Sequence, residues 1–281
     1  VLYNKKPCYD IVFQQSFDGL WEELAELGAA DKRLCIVTDS TVDGLYAAQI
    51  LKFLEGKCRK AVKYVFPAGE EHKNLDTVRD VYRFLIEEGF DRKDMLLALG
   101  GGSVIDSAKA IGYGLANDGD VWDFYEHTRQ ASACLPIGVV LTIAASGSEM
   151  SNSSVITNDE TLEKRGYNND ISRPVFAVMN PEITMTLPPY QTACGCTDIL
   201  MHTMERYFTN GGNMEITDAI AEGLMRTVIT NAKILVDDPD NYDARAEVMW
   251  SGSLSHNGLT GCGNDGGDFA SHLLEHEIGG M

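Results

Sequence analysis

The chain has 281 residues, a formal net charge of −19 and a composition that is 44% hydrophobic and 23% charged. This length predicts two domains, and the hydrophobic fraction is typical of a globular protein. The acidic charge argues against a nucleic-acid partner, because binding to phosphate backbones depends on clustered lysine and arginine. No apolar run approaches the roughly 20 residues of a membrane-spanning helix, so no membrane partner is expected.

The cysteine pattern predicts the cellular compartment of the protein. The cysteines are odd in number and form no C-x-x-C pair, which favours a reduced, cytoplasmic protein. They are Cys8, Cys35, Cys58, Cys134, Cys194, Cys196 and Cys262.

The chain begins at Val1 without a short apolar signal segment and ends at Met281 inside an unfinished motif. We interpret both ends as fragment boundaries.

Short apolar runs alternate with helical patterns from the N-terminus to about residue 180. The predicted strands are residues 10–13, 34–38, 62–66, 95–99, 137–142 and 175–179, with helices at 75–88 and 104–115. This alternation predicts an α/β domain with a parallel sheet. After Pro188 and Pro189 only amphipathic helical stretches follow, at 191–208, 215–235 and 244–256. We therefore predict an α/β dinucleotide-binding domain over 1–184 and an all-α domain over 185–281.

The motif Gly100-Gly101-Gly102-Ser103 lies between a predicted strand and a predicted helix. Glycines allow the backbone to approach a pyrophosphate, and the first amides of the helix can donate hydrogen bonds to it. The motif is not the G-x-G-x-x-G fingerprint, and a tight strand-to-helix turn explains it about as well. The motif alone therefore leaves the choice between a cofactor site and a simple turn open.

Three further loops follow predicted strands and would lie at the same edge of the sheet. Asp39 could accept hydrogen bonds from a ribose and disfavour a 2′-phosphate. Residues 67–73 form a second loop, and the small hydroxyl residues of the loop 142–149 could line the nicotinamide side. Ordinary turn chemistry and helix capping are the alternative explanations.

Asp198 and His202 lie four residues apart, and His272 and His276 repeat that spacing in a chain with only six histidines. Each pair would project from one face of a helix, so two helices could bring one carboxylate and up to three imidazoles together. Such donors suit a divalent ion, mainly Zn²⁺ or Fe²⁺. The spacing does not distinguish which C-terminal histidine is the ligand, and a single Asp-x-x-x-His pair is often only a solvated helix face.

These motifs resemble those of the iron-containing alcohol dehydrogenase family, most closely its butanol dehydrogenase branch. The resemblance covers about residues 100–281 and includes Asn180-Pro181-Glu182 and His272-x-x-x-His276-Glu277. It implies a dinucleotide-binding α/β domain followed by a helical metal-binding domain. By this resemblance Asp198, His202 and His272 are metal ligands, and His276 is a catalytic residue beside the substrate. The family pattern has a further histidine ligand in a motif beyond residue 281.

Residues 8–102 resemble a second enzyme of the same superfamily, 3-dehydroquinate synthase, which also uses NAD and a divalent metal. The resemblance rests on the segments 9–12 and 38–42 and on Glu70 and Lys73 within residues 67–73. It ends near the glycine motif, which both families carry, so the chain is interpreted as an apparent chimera joined at this loop. The later signatures of the synthase are not found.

The resemblance implies a metal-dependent oxidoreductase that transfers hydride between a primary, butanol-like alcohol or its aldehyde and NAD(P). Two alternatives stay open: a carbon–oxygen lyase like 3-dehydroquinate synthase, and an inactive protein that still binds NAD. A small alcohol or aldehyde substrate and a homo-oligomer are expected. The predicted contacts to NAD or NADP are Asp39, Thr41, Glu70, Lys73, Gly101, Gly102, Ser103, Asp106, Thr142, Ser146 and Lys164.

Overall fold

The structure is a computed structural model that describes residues 2–3, 6–7, 9–209, 212–264, 267 and 269–279. Within these residues the strands are β1 (Leu2–Tyr3), β2 (Lys6–Pro7), β3 (Asp10–Phe13), β4 (Arg33–Asp39), β5 (Lys60–Phe66), β6 (Met95–Gly100), β7 (Ile137–Leu141), β8 (Ser153–Asn158), β9 (Glu163–Asn168) and β10 (Phe176–Met179). The α-helices are α1 (Leu20–Glu26), α2 (Ser40–Val42), α3 (Ala48–Leu54), α4 (Leu75–Glu87), α5 (Gly102–Ala116), α6 (Trp122–Tyr125), α7 (Pro189–Tyr207), α8 (Glu215–Asp237), α9 (Tyr242–His256) and α10 (Ala270–Gly279).

A six-stranded sheet in the order β3-β10-β7-β6-β4-β5 forms the centre of the first part of the chain. Neighbouring strands are parallel throughout. β6 is buried at every position, which explains its continuous apolar sequence, since a central parallel strand is covered by helices on both faces. The six predicted strands are all present, and the predicted parallel sheet is confirmed.

Two apolar layers cover this sheet. On one face α4 and α5 pack against it; Leu75, Val78, Val81 and Leu85 form the buried stripe of α4, with the helical spacing of an amphipathic helix. On the other face Leu20 and Leu24 of α1 and Ile50 and Leu54 of α3 enter the second core cluster. The sheet is therefore covered by helices on both faces, and its strand ends remain at the edge.

The second part of the chain is helical, as predicted. α7, α8 and α9 pack around a third core cluster that includes Ile199, Leu224, Val228 and Val248. The last sheet strand ends at Met179 and α7 begins at Pro189, so the change from sheet to helices lies between these two residues. The division into domains at residue 184 stays a prediction.

Several elements were not predicted. β8 and β9 form an antiparallel hairpin that packs against α5, outside the main sheet. The polar sequence of β9, Glu-Lys-Arg-Gly-Tyr-Asn, does not show the apolar alternation from which strands are recognised. α1 and α3 are seven residues each, too short to give a clear helical period. No described helix is long and apolar enough to cross a membrane. Each described cysteine is a free thiol, and Cys8 lies outside the described residues.

Candidate functional site

The predicted loops meet at the carboxyl edge of the sheet because four adjacent strands end there. Asp39 at the end of β4 is paired with Phe66 at the end of β5, and Gly100 at the end of β6 is paired with Leu141 at the end of β7. The backbone amide of Thr142 donates to the Gly100 carbonyl over 3.1 Å. Ligands bind at this edge of open parallel sheets.

The glycines at the start of α5 lie directly against a neighbouring loop. A Cβ atom on Gly101 would lie 2.2 Å from Ile143 Cγ2, and one on Gly102 would lie 2.6 Å from Ser146 Oγ. The loop after β7 therefore rests directly on the glycine turn. The motif forms the tight strand-to-helix turn between β6 and α5, and the binding of an anion at the N-terminus of α5 stays a prediction.

Asp39 acts as the cap of α2. Its Oδ1 accepts the backbone amides of Thr41 at 2.8 Å and Val42 at 3.0 Å. The Thr41 amide is therefore bonded to Asp39, and the contact of Thr41 with the cofactor stays a prediction. Capping uses Oδ1, and the binding of a ribose by Asp39 stays a prediction.

The Glu70 carboxylate contacts three donors from different parts of the chain. Ser103 Oγ donates to its Oε2 over 2.8 Å, while the ammonium groups of Lys73 and Lys164 lie 3.1 and 3.3 Å from its Oε1. Burial raises the pKa of Glu70, but the two lysines and the hydrogen bond from Ser103 together lower it more, so the net shift is downward. The anionic form of Glu70 is therefore stabilised beside the N-terminus of α5.

Asp106 lies beneath this cluster and is buried. Its carboxylate is 3.4 Å from Lys73 Nζ and accepts bonds from Ser148 Oγ at 2.7 Å and the Val155 amide at 3.2 Å. These contacts tie α5 to the β7–β8 loop and to β8. Because its oxygens are occupied by the protein, the contacts favour a supporting role for Asp106; direct cofactor binding by it stays a prediction.

Asp198, His202 and His272 come together as the helical spacing predicted. Asp198 and His202 project from one face of α7, and His272 comes from α10. Their ligand atoms lie within 4.8 Å of one another. Among the described residues, these three form a cluster that could hold a metal ion. The Nε2 atoms of His202 and His272 lie 3.6 and 3.7 Å from Asp198 Oδ1.

This donor set fits a divalent ion. An ion about 2.1 Å from each ligand atom separates tetrahedral neighbours by about 3.4 Å, close to the observed spacings. His202 Nδ1 is buried and has no hydrogen-bond partner among the described residues. Burial lowers the pKa of His202 to about 4, so its ring is neutral at pH 7, the form that binds metals. The neighbouring carboxylates raise the pKa of His272, Asp198 contributing most.

His276 lies one turn after His272 on α10 and is partly buried. Burial lowers its pKa, and the nearby positive charge of Lys164 lowers it further. Its Nε2 lies 3.8 Å from Glu275, whose other carboxylate oxygen is 2.8 Å from Lys164 Nζ. α10 therefore connects the histidine cluster with the cluster around Glu70.

Four residues near the site were not singled out from the sequence. Lys109 on α5 is buried beneath the β7–β8 loop, and Glu149, a residue of that loop, is also buried. Glu205 lies seven residues after Asp198, which places it on the same face of α7. This helical spacing could have identified Glu205 from the sequence. His256 packs against His202 with ring centroids 4.1 Å apart, a contact that no local pattern indicates.

Two family sequence models match nearly the whole chain. One described as "Iron-containing alcohol dehydrogenase" matches residues 10–181, and one described as "Fe-containing alcohol dehydrogenase family, C-terminal" matches residues 192–281. The chain belongs to the iron-containing alcohol dehydrogenase family. The first match includes most of the segment that resembles 3-dehydroquinate synthase, and the origin of this family member as a chimera stays a prediction.

Individual relatives agree with this membership. The chain is 44% identical over 185 residues to NADH-dependent butanol dehydrogenase A of Clostridium acetobutylicum, covering 66% of this chain and 47% of the relative. It is 34% identical over 248 residues to NADPH-dependent aldehyde reductase YqhD of Escherichia coli, covering 87% and 60%. The solved NADH-dependent butanol dehydrogenase A of Thermotoga maritima superposes with a TM-score of 0.89 at 32% identity, covering 100% and 68%. The chain thus spans about half the length of the Clostridium butanol dehydrogenase that it matches.

Proposed function

We propose that the protein is an NAD(P)-dependent oxidoreductase that transfers hydride between a primary alcohol and its aldehyde at a divalent metal ion. The observation that carries the proposal is the group of Asp198, His202 and His272, whose ligand atoms face one another across α7 and α10. When bound, the ion acts as a Lewis acid toward the substrate oxygen and the nicotinamide ring exchanges the hydride.

The residues of the chain have distinct tasks in this proposal. Asp198, His202 and His272 hold the ion, and the mixed oxygen and nitrogen set suits Fe²⁺ or Zn²⁺. His276, four residues after His272, projects from the same face of α10 toward the substrate side and exchanges the hydroxyl proton. Its lowered pKa keeps the ring neutral at pH 7, so it can accept that proton.

The cofactor is proposed to lie along the carboxyl edge of the sheet. Its pyrophosphate would be held by the N-terminus of α5 at Gly102 and Ser103, next to the cluster in which Lys73 and Lys164 pair with Glu70. Thr142 and Ser146, in the loop that rests on the glycines, would line the nicotinamide side. Asp39 would bind the ribose, and its negative charge favours NAD over NADP.

The relatives support a dehydrogenase rather than a lyase. Their printed names describe butanol dehydrogenases that depend on NADH and an aldehyde reductase that depends on NADPH. The alternative of a 3-dehydroquinate synthase-like lyase is therefore not favoured. Small alcohols or aldehydes are the proposed substrates, a homo-oligomer is the proposed assembly, and the cytoplasm is the proposed location.

The test combines metal content with turnover. We expect protein purified without oxygen to retain or take up one Fe²⁺ or Zn²⁺ per chain and to oxidise short primary alcohols, measured as nicotinamide absorbance. His202→Ala should lose both the ion and the activity, whereas Lys233→Met, at an exposed position on α8, should lose neither. Ion-free wild-type protein, or an ion that remains in His202→Ala, would contradict the site. NAD binding without turnover in the ion-loaded protein would indicate an inactive cofactor-binding protein.

A further inference from the structure

The position of α10 depends on polar contacts. None of its described residues is buried, and Leu273, Leu274 and Ile278 are among the exposed large apolar side chains. Burial of apolar area therefore contributes little to holding this helix against the rest of the described chain. Yet α10 carries both His272 and His276, so the contacts that fix it also fix the candidate site.

One anchor is Glu205, a residue of α7 with a side chain only 7% exposed. Its Oε1 accepts the backbone amides of Ser271 and His272 at 3.0 and 3.2 Å. These are among the first amides of α10, which lack partners inside the helix. Glu205 thus caps α10 from a neighbouring helix, and its negative charge also complements the N-terminal end of the helix dipole.

The same oxygen orients the imidazole of His272. His272 Nδ1 lies 3.1 Å from Glu205 Oε1, and a carboxylate can only accept, so Nδ1 carries the proton. In the neutral ring, Nε2 then presents its lone pair on the other side, where Asp198 Oδ1 lies 3.7 Å away. Carboxylates that fix a ligating histidine in this way raise its basicity and hold its tautomer.

A second anchor lies further along the helix. Glu275 Oε1 is 2.8 Å from Lys164 Nζ on β9, and this lysine is only 5% exposed. The Lys164 contact holds the middle of α10 but does not touch the His272 ring. The two anchors can therefore be removed separately, and only the first is directed at the ligand.

We propose that Glu205 is a positioning residue that couples the docking of α10 to the presentation of His272 Nε2 for metal binding. This inference rests on the proposed function only for its metal part; the capping part is independent of it. By linkage, an ion that binds the cluster stabilises the docked helix, and loss of Glu205 weakens both.

The first measurement is the affinity for Zn²⁺ and Co²⁺ in ion-free protein, titrated with a competing chelator. Glu205→Ala is expected to bind Zn²⁺ about tenfold to a hundredfold more weakly and to change the visible spectrum of bound Co²⁺. Glu205→Gln keeps a carbonyl acceptor and should recover part of the loss. Glu222→Gln is the matched control, because its carboxylate bonds Tyr207 and Arg226 and not α10.

The second measurement is hydrogen exchange in ion-free protein, which reports on the cap whether or not metal binds. The amides of residues 271–274 should exchange about fivefold faster in Glu205→Ala, with unchanged exchange in α8. Glu275→Gln should speed exchange in α10 with a smaller effect on the Co²⁺ spectrum.

The outcomes separate the two proposals. If wild-type protein binds no ion, both the proposed function and the metal part of this inference are refuted. The exchange data still test whether Glu205 caps α10. If wild-type protein binds Zn²⁺ and Glu205→Ala binds it equally well with unchanged exchange in α10, the role of Glu205 is refuted and the proposed function stands.

Discussion

The ammonium group of Lys109 lies 2.8 Å from the carbonyl oxygen of Ser148, deep beneath the loop that rests on the glycine turn. It donates also to the carbonyls of Ser151 and Ser153 and lies near the hydroxyls of Ser148 and Ser151. One fully buried cation therefore fixes the path of the β7–β8 loop. On the far side of this loop Ser253 Oγ donates to Glu149 Oε1 over 2.5 Å, which joins the loop to α9.

Replacing Lys109 should destabilise the fold strongly. Lys109→Met fills a similar volume but leaves several buried carbonyls without a donor, so we expect the free energy of unfolding to fall by about 3–5 kcal/mol. Urea unfolding followed by circular dichroism measures this. The exposed Lys233→Met should change the unfolding free energy by less than about 0.5 kcal/mol. Equal effects of the two substitutions would show that the buried contacts contribute nothing.

Lys109 should also leave a signature in the pH dependence of stability. Burial lowers its pKa from 10.5 to about 8 in the folded protein. Between pH 8 and 10.5 the unfolded chain therefore binds the proton that the folded protein releases, and stability from this group rises with pH. The rise should reach at most about 3 kcal/mol. Wild type minus Lys109→Met, each unfolded in urea across this range, isolates the effect; a difference that is constant with pH contradicts it.

The contact between Gly101 and Ile143 can be tested by a double-mutant cycle. Gly101→Ala places a methyl group against the Ile143 side chain and should cost about 1–3 kcal/mol of stability. Adding Ile143→Ala removes the clash and should recover part of that loss. Gly223→Ala on α8 has open space around it and should stabilise by about 0.5–1 kcal/mol. Strict additivity of the two substitutions in the cycle would refute the contact.

The sequence predicted the parts of the site that depend on local spacing. The paired residues on α7 follow from helical periodicity, and the glycine turn follows from an apolar strand ahead of a helix. The role of Lys109 could not be predicted, because its partners lie 39 to 44 residues later. The hairpin of β8 and β9 was missed because most of its residues are polar and only a few, such as Ile156 and Tyr167, are apolar residues that enter the core.

Asp39 allows a test of cofactor preference. Asp39→Asn keeps an oxygen that can cap α2 while removing the charge, so the affinity for NADP relative to NAD should rise about tenfold, the repulsion between neighbouring charges being at least about 1 kcal/mol. Fluorescence titration with both cofactors measures the ratio. Asp39→Ala serves as the comparison, because it should lose about 1 kcal/mol of stability with the cap. An unchanged ratio in Asp39→Asn would place the ribose elsewhere.

His272 and His276 should fail in different ways when each is replaced. His272→Ala removes a proposed ligand, so ion content and turnover should fall together. His276→Ala should keep the ion while kcat falls about 10²- to 10⁴-fold, the usual contribution of a positioned proton-transfer group. Metal analysis beside steady-state kinetics on the same preparations separates the two results. If His276→Ala lost the ion while His272→Ala kept it, the two positions on α10 would have to exchange roles, and Glu205 would then hold the wrong ring.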